Sequence, residues 1–132
     1  MASIFTRIIK GEIPCYKIAE NDKFFAFLDI NPLQAGHTLV IPKAEIDVFF
    51  DLPEDILSEI LVFSKPIANA IKDYTLCERV GVSVIGLEVP HAHVHLIPIN
   101  GMNDMNFANE KKTLEKGDFE NIAREIRERI KH

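Results

Sequence analysis

Apolar residues recur about one helical turn apart at Ile4, Phe5, Ile8 and Ile9, and Gly11 and Pro14 end the pattern, which predicts a short helix. Two apolar runs follow, Phe24 to Leu28 and Thr38 to Ile41, separated by Asn31-Pro32 and Gly36 and closed by Pro42. They predict two buried strands. From about Leu52 to Tyr74 the positions Ile56, Ile60, Phe63, Ile67, Ile71 and Tyr74 step by four and three, the stripe of a long amphipathic helix. Asp51 and Glu54 stand at capping-box spacing before it. Pro66 lacks a backbone donor and crowds the preceding turn, so a kink or break is expected there. Arg79 to Val84 and His91 to Ile99 are β-branched or alternating, with Gly86 and Pro90 between them, and predict a hairpin. Residues 101–117 are polar and without a period. Asp118 is then expected to cap a terminal helix over about 118–131, with Phe119, Ile122, Ile126 and Ile130 as its apolar stripe.

This order of helices and hairpin-like strands argues for an α+β fold on an antiparallel sheet, since a parallel sheet needs more regular alternation. The 132 residues suit one domain, 1–132, and 47% hydrophobic residues supply its core. Cys15 and Cys77 stand far apart in no Cys-x-x-Cys pattern, so free thiols and a reducing, cytoplasmic setting are expected. No apolar run is long enough to span a membrane, and Arg7 and Lys10 interrupt the first ten residues where a signal peptide would stay apolar. A net charge of −5 disfavours a polynucleotide partner, which needs clustered lysine and arginine, but leaves room for a small phosphate-bearing ligand.

The chemistry concentrates in Pro90-His91-Ala92-His93-Val94-His95-Leu96-Ile97-Pro98. Histidine alternates with an aliphatic residue, so a strand would turn all three imidazoles to one face and the aliphatic residues to the core. At about 3.3 Å per residue, adjacent histidines stand roughly 7 Å apart and the outer pair roughly 13 Å apart, so the three divide their work. Two of them could share a zinc ion, but the remaining candidates, His37, Cys15, Cys77, carboxylates and His132, show no zinc spacing; no metal and no cofactor is expected. A purely structural role is open to any single buried histidine, yet three on one face are a costly way to fill a core. Imidazole is nucleophilic near neutral pH and its neighbours can donate protons or hold phosphate oxygens, so one nucleophile with two helpers is economical. His93, flanked on both sides, is the natural nucleophile.

His91-Ala-His93-Val-His95-Leu-Ile resembles the signature of the histidine triad (HIT) family. Ile4-Phe5-Thr-Arg-Ile8-Ile9-Lys-Gly-Glu-Ile-Pro, Ala26-Phe27-Leu28-Asp29-Ile30-Asn-Pro and Gly36-His37-Thr-Leu39-Val-Ile-Pro-Lys43 resemble its N-terminal half in order and spacing. The likeness covers roughly residues 3–99, with 100–132 as a C-terminal extension. It implies a curved antiparallel sheet of about five strands with one long helix and a C-terminal helix, usually as a homodimer. It further implies a purine nucleotide or related small substrate, cut at the α-phosphorus of a nucleoside phosphoramidate or dinucleoside polyphosphate; a nucleotide-binding module with incidental catalysis is the alternative.

By the same resemblance His93 forms a nucleotidyl-histidine, His95 holds phosphate oxygens, the His91 backbone steers the His93 ring, and the His91 and His37 side chains form a relay beside it. Asp29 accepts hydrogen bonds from the ribose, although it could also start the turn at Asn31-Pro32. Ile4, Phe5, Ile8, Phe27, Ile30 and Leu39 enclose the base, where each taken singly also suits plain core. Two departures stand out. The loop before Pro90 is short and puts Leu87 where the family has a glutamine, with Ser83 and Glu88 as substitutes on the leaving-group side. Some members also hold zinc on a Cys-x-x-Cys and a later histidine; here Ser3, Thr6 and Glu45 stand there, and that zinc is not expected.

Overall fold

The computed structural model describes residues 2–131, so Met1 and His132, the outer bounds of the expected domain, lie outside it. Along the chain come α1 (Ile4–Ile9), β1 (Lys17–Glu20), β2 (Phe24–Leu28), β3 (Thr38–Pro42), α2 (Glu54–Thr75), β4 (Arg79–Ser83), β5 (Val94–Ile99) and α3 (Lys116–Arg129). All strands join one sheet in the order β1-β2-β3-β5-β4, and every neighbouring pair is antiparallel. The expected α+β architecture, with its long helix and C-terminal helix, is what forms.

The continuous apolar runs reflect a sheet covered on both faces: every residue of β2 and β3 is buried. Alternation sends Phe24, Ala26, Leu28, Val40, Val94 and Leu96 toward one layer, where α2 and α3 supply Ile60, Ile67, Ile71, Phe119 and Ile126. The intervening residues, Phe25, Phe27, Leu39 and Ile41, face the other way and pack with Phe5 of α1. The sheet thus separates a large helical core from a smaller apolar cluster that shares its face with the histidines.

Four expectations need correction. The break expected at Pro66 does not occur: α2 continues through it, with Ile60, Ile67, Ala70 and Ile71 buried on both sides. Asp51 is no cap; it sits in a separate 3-10 turn at Phe49–Asp51, and Pro53 occupies the N-cap position. Asp118 is likewise not the cap of α3 but its third residue, and its Oδ2 accepts from the Glu115 N–H at 3.0 Å, starting the helix two residues early. The strand expected over His91 to Ile99 begins only at Val94, because the Ala92 N–H donates to the Ile46 carbonyl at 2.7 Å instead of joining the ladder. The strand β1 has no counterpart in the sequence reading, as only Ile18 of its four residues is buried.

Candidate active site

The Cα register pairs His95 with Leu39 on one side and with Ser83 on the other, so one histidine is locked into the middle of the sheet. His91 lies in a bend and His93 in the irregular lead-in to β5, and His93 still reaches the same region: the His93 and His95 rings are 4.9 Å apart. Phe5 stands edge-on to His93 at 5.1 Å, to His91 at 5.7 Å and to Phe27 at 5.5 Å, joining the histidines to the apolar cluster. His37, His91, His93 and His95 are all buried.

Unambiguous donors and acceptors fix the protons on these rings, since a neutral imidazole carries one N–H and one lone pair. The Pro42 carbonyl can only accept, so His91 Nε2–H donates to it at 2.8 Å, and His91 Nδ1 is left to accept from Ser3 Oγ–H at 2.7 Å. The His91 carbonyl also can only accept, so His93 Nδ1–H donates to it at 2.7 Å and His93 Nε2 keeps its lone pair. The Leu33 N–H can only donate, so His37 Nδ1 accepts at 3.0 Å, and His37 Nε2–H donates to His95 Nδ1 at 2.9 Å. His95 is then left with its hydrogen on Nε2, on a ring 4.9 Å from that of His93. Burial, reinforced by neighbouring His95, pushes His37 down to about 3, and burial, aided by the nearby His93 ring, pushes His95 down to about 4, so this pair stays neutral at neutral pH. Burial also lowers His91, against the raising effect of the Pro42 carbonyl.

These bonds correct the expected relay. The His91 side chain turns to Ser3 and Pro42, His37 pairs with His95, and the two side chains do not join each other. Asp29 does start the turn, its Oδ1 accepting from Asn31 N–H at 2.8 Å, while its Oδ2 lies 3.6 Å from His37 Nε2. Because His37 is neutral this contact is no ion pair, and burial raises the Asp29 carboxyl. Asp29, His37 and His95 are close enough to suggest a metal site, with ligand atoms within 4.8 Å of one another. The protonation pattern argues against one: His37 Nε2 carries the hydrogen that the Leu33 amide imposes, and a metal needs a lone pair there.

Of the residues expected at the base, Phe5, Ile8, Phe27 and Leu39 cluster together, whereas Ile4 and Ile30 stand outside, 48% and 63% exposed. Ser83 is half-buried opposite His95; Glu88 and Leu87 are exposed, and Leu87, at 88%, points no side chain into the site. One wall was missed. Phe107, the lone aromatic in the polar stretch after β5, lies edge-on to His95 at 4.9 Å and to His37 at 6.3 Å. Its segment is pinned by the Lys112 N–H donating to the Pro32 carbonyl at 2.8 Å and by Lys111 Nζ donating to the Phe107 carbonyl at 2.6 Å.

A model of the HIT domain matches residues 10–102. The chain belongs to the HIT family. An uncharacterized HIT-like protein of Borreliella burgdorferi is 36% identical over 131 residues, covering 93% of this chain and 94% of that one. The adenosine 5'-monophosphoramidase HNT1 of Saccharomyces cerevisiae is 40% identical over 99 residues, covering 74% of this chain and 62% of that one. Among solved structures, a HIT-like protein from Bartonella henselae superposes with a TM-score of 0.82 at 30% identity, covering 96% of this chain and 95% of that one. A zinc-bound histidine triad protein from Mycobacterium smegmatis gives 0.84 at 25% identity, covering 98% and 94%.

Proposed function

We propose that this HIT protein cleaves a bond at the α-phosphorus of a purine nucleoside phosphoramidate or dinucleoside polyphosphate through a nucleotidyl-histidine on His93. The observation that carries the reading is the bare Nε2 of His93, on a ring oriented by the His91 carbonyl and 4.9 Å from the ring of His95. In the proposed reaction His93 Nε2 bonds to phosphorus as the phosphorus–leaving-group bond breaks; a phosphate departs as the anion, and an amine departs with a proton taken from solvent. Water then displaces the imidazole and releases the nucleoside monophosphate, its spare proton passing to the released group or to solvent. His95 Nε2–H holds a phosphate oxygen throughout, and a ring kept neutral by burial can donate without contributing positive charge. The Phe5, Phe27 and Leu39 cluster supplies an apolar wall for the base, and Asp29 Oδ2 is the acceptor proposed for the ribose. Relatives named adenosine 5'-monophosphoramidase support nucleotide hydrolysis of this kind. Free Cys15 and Cys77 support a reducing, cytoplasmic setting.

Incubation with adenosine phosphoramidate, and separately with a dinucleoside polyphosphate, tests the reading. AMP is expected from at least one, with loss of about a thousandfold or more in His93→Ala, as for removal of a nucleophile. Full turnover in a folded His93→Ala chain would refute the mechanism. The exposed Leu87, standing where the family carries a glutamine, favours the second reading, a nucleotide-binding module. That reading is marked by tight AMP binding without release of product from either substrate.

A further inference from the structure

Ser3, Thr6, Glu45 and His91 come from three separate stretches of chain, yet their polar atoms form one connected cluster. Ser3 Oγ donates to His91 Nδ1 at 2.7 Å and accepts from the Thr6 N–H at 3.1 Å. Thr6 Oγ1–H donates to Glu45 Oε1 at 2.6 Å, and the same oxygen accepts from the Ser3 N–H at 2.5 Å. These are the positions at which some HIT proteins carry the cysteines and histidine of a zinc site. Two neutral hydroxyls and a carboxylate beside one imidazole do not make the sulfur and nitrogen set that zinc favours. Hydrogen bonds close the cluster in this chain.

The cluster leads to the proposed nucleophile in two ways. His91 is fully buried and held at both ring nitrogens, by Ser3 Oγ and by the Pro42 carbonyl, and its own carbonyl is the acceptor that orients His93. The bonds among Ser3, Thr6 and Glu45 also dock α1, which brings Phe5 edge-on to His91 and His93. Without the Ser3 hydroxyl, His91 Nδ1 becomes a buried acceptor with no strong donor, because Thr6 Oγ1 is 3.5 Å away and already engaged by Glu45. The ring then gains by moving, and the carbonyl that steers His93 moves with it.

We infer that Ser3, Thr6 and Glu45 are positioning residues, a metal-free clasp that acts through His91 to hold His93 in line with the α-phosphorus. The inference rests on His93 being the nucleophile, and its test separates the two. Steady-state kinetics on adenosine phosphoramidate or the dinucleoside polyphosphate, whichever turns over, are measured for the unmodified chain and for Ser3→Ala, Ser3→Thr, Glu45→Ala, Glu45→Gln and His93→Ala. In Ser3→Ala and Glu45→Ala kcat is expected to fall on the order of tenfold, as for a nucleophile held slightly out of place, with KM within about twofold. Ser3→Thr and Glu45→Gln, which keep the donor to His91 and the acceptor for Thr6, are expected to recover most of the rate. A purely structural cluster would lower the unfolding midpoint of Ser3→Ala and Glu45→Ala while leaving kcat unchanged, and that result overturns the clasp alone. An unmodified chain with no turnover, or turnover that survives His93→Ala, overturns both readings.

Discussion

Acid should destabilise this fold steeply through two histidines. In the folded chain His37 and His95 titrate only at about 3 and about 4. An unfolded histidine titrates near pH 6.5, so between pH 6.5 and 4 the unfolded chain takes up protons that the folded chain refuses. The contribution is therefore fully present above pH 6.5 and is lost as pH falls toward 4. At pH 5, relative to pH 8, each histidine subtracts about 2 kcal/mol, and the pair about 4 kcal/mol, a large part of the total stability of an ordinary domain. His91, also lowered by burial, works in the same sense. Asp29, raised by burial, works in the opposite sense as its carboxyl protonates. Urea unfolding followed by circular dichroism at pH 8 and pH 5 measures the difference. With a slope of about 2 kcal/mol per molar, the midpoint should drop by about 2 M. In His37→Asn, where the side-chain oxygen can still accept from Leu33, roughly half of that pH dependence should vanish. A drop below about 0.5 M, or an undiminished one in His37→Asn, would refute the reasoning.

Phe107→Ala removes the ring that lies over His95 and His37 and admits water to the pair. It should cost about 2 kcal/mol at pH 8 in the same urea experiment, and flatten the acid-side loss, since hydration lets both histidines protonate. Dimerisation is expected through β4, one of the two edge strands of the sheet, where Val82 and the following Val84 and Ile85 are exposed. Light scattering is expected to give twice the chain mass of 15.0 kDa, and Val82→Lys with Ile85→Lys to halve it; a single-chain mass for the unmodified protein would remove this assembly.

Burial leaves a period in a sequence, and what depends on burial was legible. The α2 stripe is legible because Ile60, Ile67 and Ile71 are in the core, and β2 and β3 because they are covered on both faces. Boundaries were less legible, since they depend on individual main-chain bonds: the Ala92 N–H chooses the Ile46 carbonyl and thereby delays β5. The strand β1 leaves no signal in the sequence because one buried residue makes no period. At the site, alternation pointed to the shared histidine face, and Phe5, Phe27 and Leu39 do lie beside it. Partnerships across the chain were hidden. His37 meets His95 over 58 residues and Ser3 meets His91 over 88, and Phe107 is reached only because its polar segment folds back onto Pro32.

The Leu33 amide has a hydrogen to give and no lone pair to take one, so it seals the inner end of the His37–His95 pair. A proton arriving from the substrate side cannot pass through His37 Nδ1 to the main chain. The chain of rings ends there, and charge that reaches His95 during a reaction is left to water, to the departing group or to Asp29, whose Oδ2 lies 3.6 Å from His37 Nε2. One main-chain N–H in the turn before Gly36 thus decides where this histidine pair ends.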